Sequence, residues 1–166
     1  MNIGFFVNDE MTEHAGYTTN RRGMSATRQG HQAWFIGAAD FGYSADGKVR
    51  AMASSVAGKR YSSKEAYLAA LQGPKAVRER IVLDDLDVLM LRSDPSTDTG
   101  LRAWAQTAGI SFGRVAMRRG VIVLNDPEGL LQAANKLYFQ LFPDEVRPRT
   151  NISQNRDDIR AFVKEM

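Results

Sequence analysis

Two short apolar runs without polar alternation, Gly4-Phe5-Phe6-Val7 and Val121-Ile122-Val123-Leu124, constrain this chain more than any other feature. A strand with one wet face alternates apolar and polar residues. An unbroken apolar run therefore belongs to a strand covered on both faces. Strands of that kind sit in sheets with helices above and below, so the stretches between the runs should be helical.

They read that way. After a strand at 2–7 and the polar loop Asn8-Asp9-Glu10, residues 19–28 suit a helix, weakened by Gly23 and closed by Gly30. A second strand follows at 32–36, completing a β-α-β unit. Residues 37–60 are expected to form short strands or a hairpin around Asp46-Gly47, a common turn pair. Ser62 with Glu65 has the spacing of a capping box. The helix it opens carries Tyr67, Leu68 and Leu71 and should stop at Gly73-Pro74. A third strand spans 86–91. From 99 to 119, Leu101, Trp104, Ala105, Ala108, Phe112, Val115 and Ala116 recur at mostly helical steps and predict one long helix ending at Gly120. The run at 121–124 reads as a central strand. Asp126-Pro127-Glu128 has the chemistry of a helix start, with the helix expected to reach Leu141. Residues 146–152 look extended. A last helix after Asn155 places Ile159, Phe162 and Val163 on one side. The expected class is α/β, with a mostly parallel sheet wrapped on both faces.

At 166 residues the chain suits one domain, at most one plus a fragment of a second. Cys is absent, which removes disulfides, thiolate metal sites and cysteine nucleophiles together. Lys and Arg total 22 against 19 Asp and Glu, with the signs mixed along the chain, so no nucleic-acid partner is expected. No apolar run approaches the roughly 20 residues of a membrane span, and no basic leader precedes an apolar stretch. The expectation is a cytoplasmic protein without a membrane partner. A chain ending just after a new helix also reads as the front of something longer.

Gly109-Ile110-Ser111-Phe112-Gly113 matches the G-x-S-x-G of a hydrolase nucleophile elbow. That motif needs a strand-turn-helix context and a later histidine. Here it lies inside a helical pattern, and His14 and His31 both precede it; small residues allowing a close helix–sheet approach explain it better. The two histidines lack metal-ligand spacing, so no metal site is expected. Neither a Walker loop nor a G-x-G-x-x-G follows the first strand. Ligands of such sheets gather at the carboxyl ends of the strands, where loops 8–19, 92–98 and 125–128 should lie. In the second of these, Arg92, Asp94 and Asp98 have two readings. Arg92 can clamp a substrate carboxylate; or Arg92 pairs with Asp94 while Asp98 caps the next helix. On residue types alone the second is the simpler. Lys136, in mid-helix, reads as solvated.

The same residues carry a family resemblance. Leu86-Asp87-Val88-Leu89-Met90-Leu91-Arg92-Ser93-Asp94-Pro95-Ser96-Thr97-Asp98 resembles the LDV-hydrophobic-R-x-DP-x-x-D segment of prokaryotic glutathione synthetases. At similar spacing come Gly120-Val121-Ile122-Val123-Leu124-Asn125-Asp126-Pro127 and then Asn135-Lys136-Leu137. Pro148-Arg149-Thr150-Asn151-Ile152-Ser153 resembles the family's lead-in to an ATP-grasp domain, and the front end through Arg28-Gln29-Gly30-His31 is also similar. The resemblance implies a Rossmann-like, three-layer pre-ATP-grasp domain at 1–126, followed at 127–166 by a helix and linker. It implies a parent ligase that uses ATP and Mg²⁺ to join γ-glutamylcysteine and glycine, so the partners are a small acid, a small amine and an absent ATP-grasp domain. This piece alone should be inactive and hold neither cofactor firmly. Arg92 and Asp94, with Thr18 and Thr19 in the first loop, would face the substrate, and Lys136 would contact the nucleotide. Tyr17-Thr18-Thr19 departs from the Lys/Asp-Ser arrangement of better-known synthetases, which leaves the acid and amine open. A sugar-nucleotide glycosyltransferase N-terminal domain and a non-catalytic binding or dimerisation domain are the other readings. A homo-oligomer is compatible with all of them.

Overall fold

The computed structural model describes residues 1–58 and 60–166. Its contacts divide into two units, Met1–Pro127 and Glu128–Met166.

The first unit is built on β1 (Asn2–Val7). It lies parallel to β2 (Gln32–Gly37) on one side and to β6 (Val88–Leu91) on the other. β7 (Ile122–Leu124) extends the parallel part beyond β6. The far side is antiparallel. β4 (Val49–Ser55) takes β5 (Val77–Val82) along one side, and β3 (Phe41–Tyr43) followed by β2 at Phe35 along the other. The hairpin expected at Asp46-Gly47 joins β3 to β4, with Gly47 at φ +77°, a left-handed conformation that glycine adopts without penalty.

Alternation along β1 separates the two faces. Phe5 and Val7, with Ala33 and Phe35 of β2, form a buried cluster under α1 (Thr18–Arg28) and α2 (Lys64–Gln72). Phe6 points the other way, towards α3 (Ala108–Arg118). The result is the expected three-layer α/β sandwich, with a mixed sheet. Gly109 lies against the Phe6 ring, and Gly113 against Leu91 and Val123. The small residues of the G-x-S-x-G stretch therefore bring α3 close to the sheet, inside a continuous helix.

Several elements differ from the sequence reading. Residues 99–119 are not one helix: a 3-10 stretch (Gly100–Thr107) precedes α3. Gly100 enters it at φ +58°, and Arg102 and Gln106 are both tied to Asp98. Leu101 and Trp104, predicted for a buried face, are exposed. β7 is an edge strand rather than a central one, and Ile122 is 60% exposed. α2 is capped by Ser63, not Ser62: the Ser63 hydroxyl accepts from the Ala66 amide at 3.2 Å. β5 had no counterpart in the sequence reading.

In the second unit, α4 (Pro127–Ala133) stops well short of Leu141. Asn135 accepts from the Leu137 amide at 2.9 Å and so starts a separate 3-10 turn, Lys136–Leu141. An asparagine side chain competing with the backbone ends helices in this way. Lys136 is therefore the exposed first residue of a turn, not a mid-helix residue. Val146 closes another 3-10 turn (Asp144–Val146); residues 147–154 form no regular element. α5 (Arg156–Lys164) is capped by the Asn155 side chain. No described residue of this unit after Pro127 is buried, as expected of a segment too short to build its own core.

Candidate functional site

β1 has its sequence neighbour β2 on one side and β6 on the other, so the chain order reverses at β1. The carboxyl ends of two adjacent strands splay apart at such a point and leave a crevice. Here it is a cleft of about 770 Å³, walled by the loop after β1, the start of α1 and the segment after β6. That volume suits a small-molecule ligand. Loops 8–19 and 92–98 supply its walls; loop 125–128 supplies none of the lining.

Asn8, the first residue beyond β1, stitches the two walls together. Its side-chain amide donates to the Asp94 carbonyl (2.8 Å) and to the Asp98 carboxylate (2.6 Å), while its Oδ1 accepts from the Asp94 amide (2.8 Å). Arg102 closes the knot, donating to the Asn8 carbonyl at 2.9 Å and to Asp98 at 3.0 Å. Asp98 is 1% exposed, so its charge is compensated by these bonds. It does not cap the next helical stretch: the N-cap there is Thr99, without a side-chain bond.

Arg92 follows β6 directly, and its amide donates to the Phe6 carbonyl at 2.8 Å, extending the parallel ladder. That bond fixes its backbone. Its guanidinium does not pair with Asp94. Nη2 donates to the Thr18 hydroxyl at 3.0 Å, across to the first residue of α1. Nε is buried with no hydrogen-bond partner among the described residues. Asp94 turns its carboxylate onto Ser96, accepting from both its amide and its hydroxyl at 2.9 and 2.6 Å. These bonds hold its carboxyl below the usual range.

Thr18 and Thr19 begin α1, and Tyr17 at its N-cap makes no side-chain bond to the first turn. The amides there lack a side-chain cap and favour negative charge. Thr19 is 3% exposed, so Thr18 is the more accessible of the two. Glu13 lies in the same wall. Gln72 of α2 donates to its backbone carbonyl at 3.1 Å, and Asn20 reaches its Oε2 at 3.4 Å. Burial pushes its carboxyl up to about 7, against the opposing charge of Arg92.

The cleft thus brings together Arg92, Asp94, Thr18 and Thr19. Lys136 belongs to the second unit, its ammonium 5.9 Å from the Phe139 ring centre. Sequence reasoning missed Asn8, Glu13 and Arg102 as site residues. Only Arg102 carried a local signal, its i,i+4 spacing from Asp98. Among the described residues, no group of three or more His, Asp or Glu side chains could hold a metal ion. No helix among them is long and apolar enough to cross a membrane.

The chain matches a family model described as prokaryotic glutathione synthetase, N-terminal domain, over residues 1–130. Among curated relatives, the glutathione synthetase of Gloeobacter violaceus is 30% identical over 173 residues of alignment, covering 98% of this chain and 48% of that protein. That of Salmonella typhimurium is 27% identical over 139 residues, 84% of this chain and 40% of the relative. That of Pseudomonas syringae pv. tomato is 35% identical over 89 residues, 50% and 24% respectively. The chain spans less than half the length of these relatives. With the match covering more than half of its residues, the chain belongs to the family of prokaryotic glutathione synthetase N-terminal domains.

Proposed function

We propose that this chain is the substrate-binding front of a glutathione synthetase-like, ATP-dependent carboxylate–amine ligase, whose parent reaction joins γ-glutamylcysteine and glycine. In this reading residues 1–126 form the pre-ATP-grasp domain and 127–166 lead towards an ATP-grasp domain outside this sequence. The observation that carries it is the Arg92–Thr18 hydrogen bond spanning the switch-point cleft. An arginine whose backbone is fixed by the sheet, with a buried guanidinium N–H that has no partner among the described residues, sits beside an uncapped helix N-terminus. Both favour a carboxylate. The acid substrate would anchor there, with Asp94 setting the shape of the wall.

ATP and Mg²⁺ would be held by the ATP-grasp part, where the metal neutralises the transferring phosphoryl group. Lys136 would reach the nucleotide from the second unit. The isolated 166-residue chain would bind the acid but not turn over. The test uses a protein carrying both parts. Arg92→Gln should raise KM for the acid well above any change in KM for ATP, and Lys136→Ala should do the reverse. Unchanged kinetics in Arg92→Gln, or ATP-dependent ligation by the 166-residue chain alone, would overturn the reading.

A further inference from the structure

The cleft holds two charged side chains of opposite sign that do not satisfy each other. Arg92 spends one N–H on Thr18 and buries another with no partner among the described residues. Glu13 stands on the other wall, with Oε2 at 3.4 Å from the Asn20 amide and Oε1 in no hydrogen bond among the described residues. The two line one cavity, and no ion pair joins them among the described residues. Glu13 is also held in place, since Gln72 of α2 grips the loop through the carbonyls of Glu10, Met11 and Glu13. A half-buried carboxyl fixed beside a half-used guanidinium is complementary to a ligand carrying both charges close together. The smallest such group is the ammonium–carboxylate head of a free amino acid.

We propose that Glu13 reads the α-ammonium group of the bound acid while Arg92 takes its α-carboxylate, so that the cleft selects a free amino-acid head over its deaminated counterpart. This rests on the reading of the cleft as the acid-binding site. Glu13 acts as a specificity residue and takes no part in bond making. The other titratable groups lining the cleft are Asp9 and His14 in the same loop, Tyr17 at the N-cap of α1, and Asp94, Asp98 and Arg102 beyond β6. Asp98 is neutralised by Arg102, Asp94 is turned onto Ser96, and Asp9 accepts from the Met11 amide at 2.8 Å. That leaves Glu13 the better-placed acceptor for a cation. Burial holds the empty carboxyl up to about 7, so an arriving ammonium drives off its proton, and binding near neutral pH releases a fraction of a proton.

The test is calorimetry on the 166-residue chain with reduced γ-glutamylcysteine and with N-glutarylcysteine, which lacks only the amine. Wild type should prefer the amine-bearing compound by about 10-fold, the size of one charge-assisted hydrogen bond in a partly wet site. Repeating it in buffers of different ionisation enthalpy should show proton release with that compound alone. Glu13→Gln, nearly isosteric, should lose both the preference and the proton release while binding N-glutarylcysteine as before. Arg92→Gln should weaken both compounds alike. If Glu13→Gln keeps the preference, or weakens both compounds equally, the assignment to Glu13 is overturned while the role of Arg92 stands. Should wild type bind neither compound, or Arg92→Gln change nothing, the acid-site reading falls and takes the proposal with it.

Discussion

Gly23→Ala separates local propensity from packing. Gly23 lies inside α1, where alanine is worth about 0.8–1 kcal/mol more than glycine. Propensity alone therefore predicts a more stable protein. The structure predicts the opposite. A Cβ at this position would lie 2.7 Å from two carbons of the Phe35 ring and 2.9 Å from the Tyr67 hydroxyl. Neither ring can yield cheaply: both are fully buried, and Phe35 stacks on Phe5 with centroids 5.2 Å apart. Forcing one methyl group into such a core costs about 1–3 kcal/mol. With both neighbours pinned the upper half of that range applies, leaving a net loss of about 1–2 kcal/mol after the propensity gain. Urea unfolding followed by the fluorescence of Trp34, buried in β2, reads this as a lower midpoint at unchanged slope. Gly16→Ala is the control, because nothing lies within 4 Å of its Cβ position; it should be neutral. An unchanged or higher midpoint for Gly23→Ala would refute the packing argument. It would also weaken the view that α1, which carries Thr18, is held against the sheet by this contact.

Three further outcomes follow from the site. Asp98→Ala strands Arg102 and the Asn8 amide and should cost about 2–3 kcal/mol, measurable as a fall of several degrees in Tm. Glu13 has a folded pKa of about 7, above its ordinary 4.5, so the native state holds the extra proton. Its contribution to stability is full below about pH 4.5 and is lost as pH rises to 7. Glu13→Gln should therefore gain Tm over wild type at pH 8 and little at pH 4.5; a pH-independent difference would contradict the burial of Glu13. Lys136→Ala should leave stability within about 0.5 kcal/mol of wild type by thermal melting, since the residue is exposed.

The parallel half of the sheet was legible because its strands are covered on both faces. Phe5, Phe6 and Val7 are all essentially inaccessible, and an unbroken apolar run records that directly. β5 was not legible: its centre, Arg78-Glu79-Arg80, is exposed and charged, as suits an edge strand. The same blindness placed β7 at the centre of the sheet, since an apolar run does not reveal how many neighbours it has. Helical spacing over 99–119 marked apolar residues but not the tighter winding that the Asp98 ties impose on its first half. For the site, the resemblance and the strand-end argument converged on Arg92, Asp94 and Thr18. Residue types alone mispaired Arg92 with Asp94, because its partner lies 74 positions away on α1. Glu13 is one acid among several in a polar loop. Its position depends on Gln72, 59 residues onward, and nothing local announces that.

Titrating ¹⁵N-labelled chain with γ-glutamylcysteine and following its amide resonances shows whether the cleft between β1 and β6 takes the acid substrate. Binding there should give saturable shifts at Asn8, Glu13, Thr18, Thr19, Arg92 and Asp94, abolished in Arg92→Gln. Saturable shifts confined to the β4–β5 side of the sheet, or none at millimolar ligand, would contradict it.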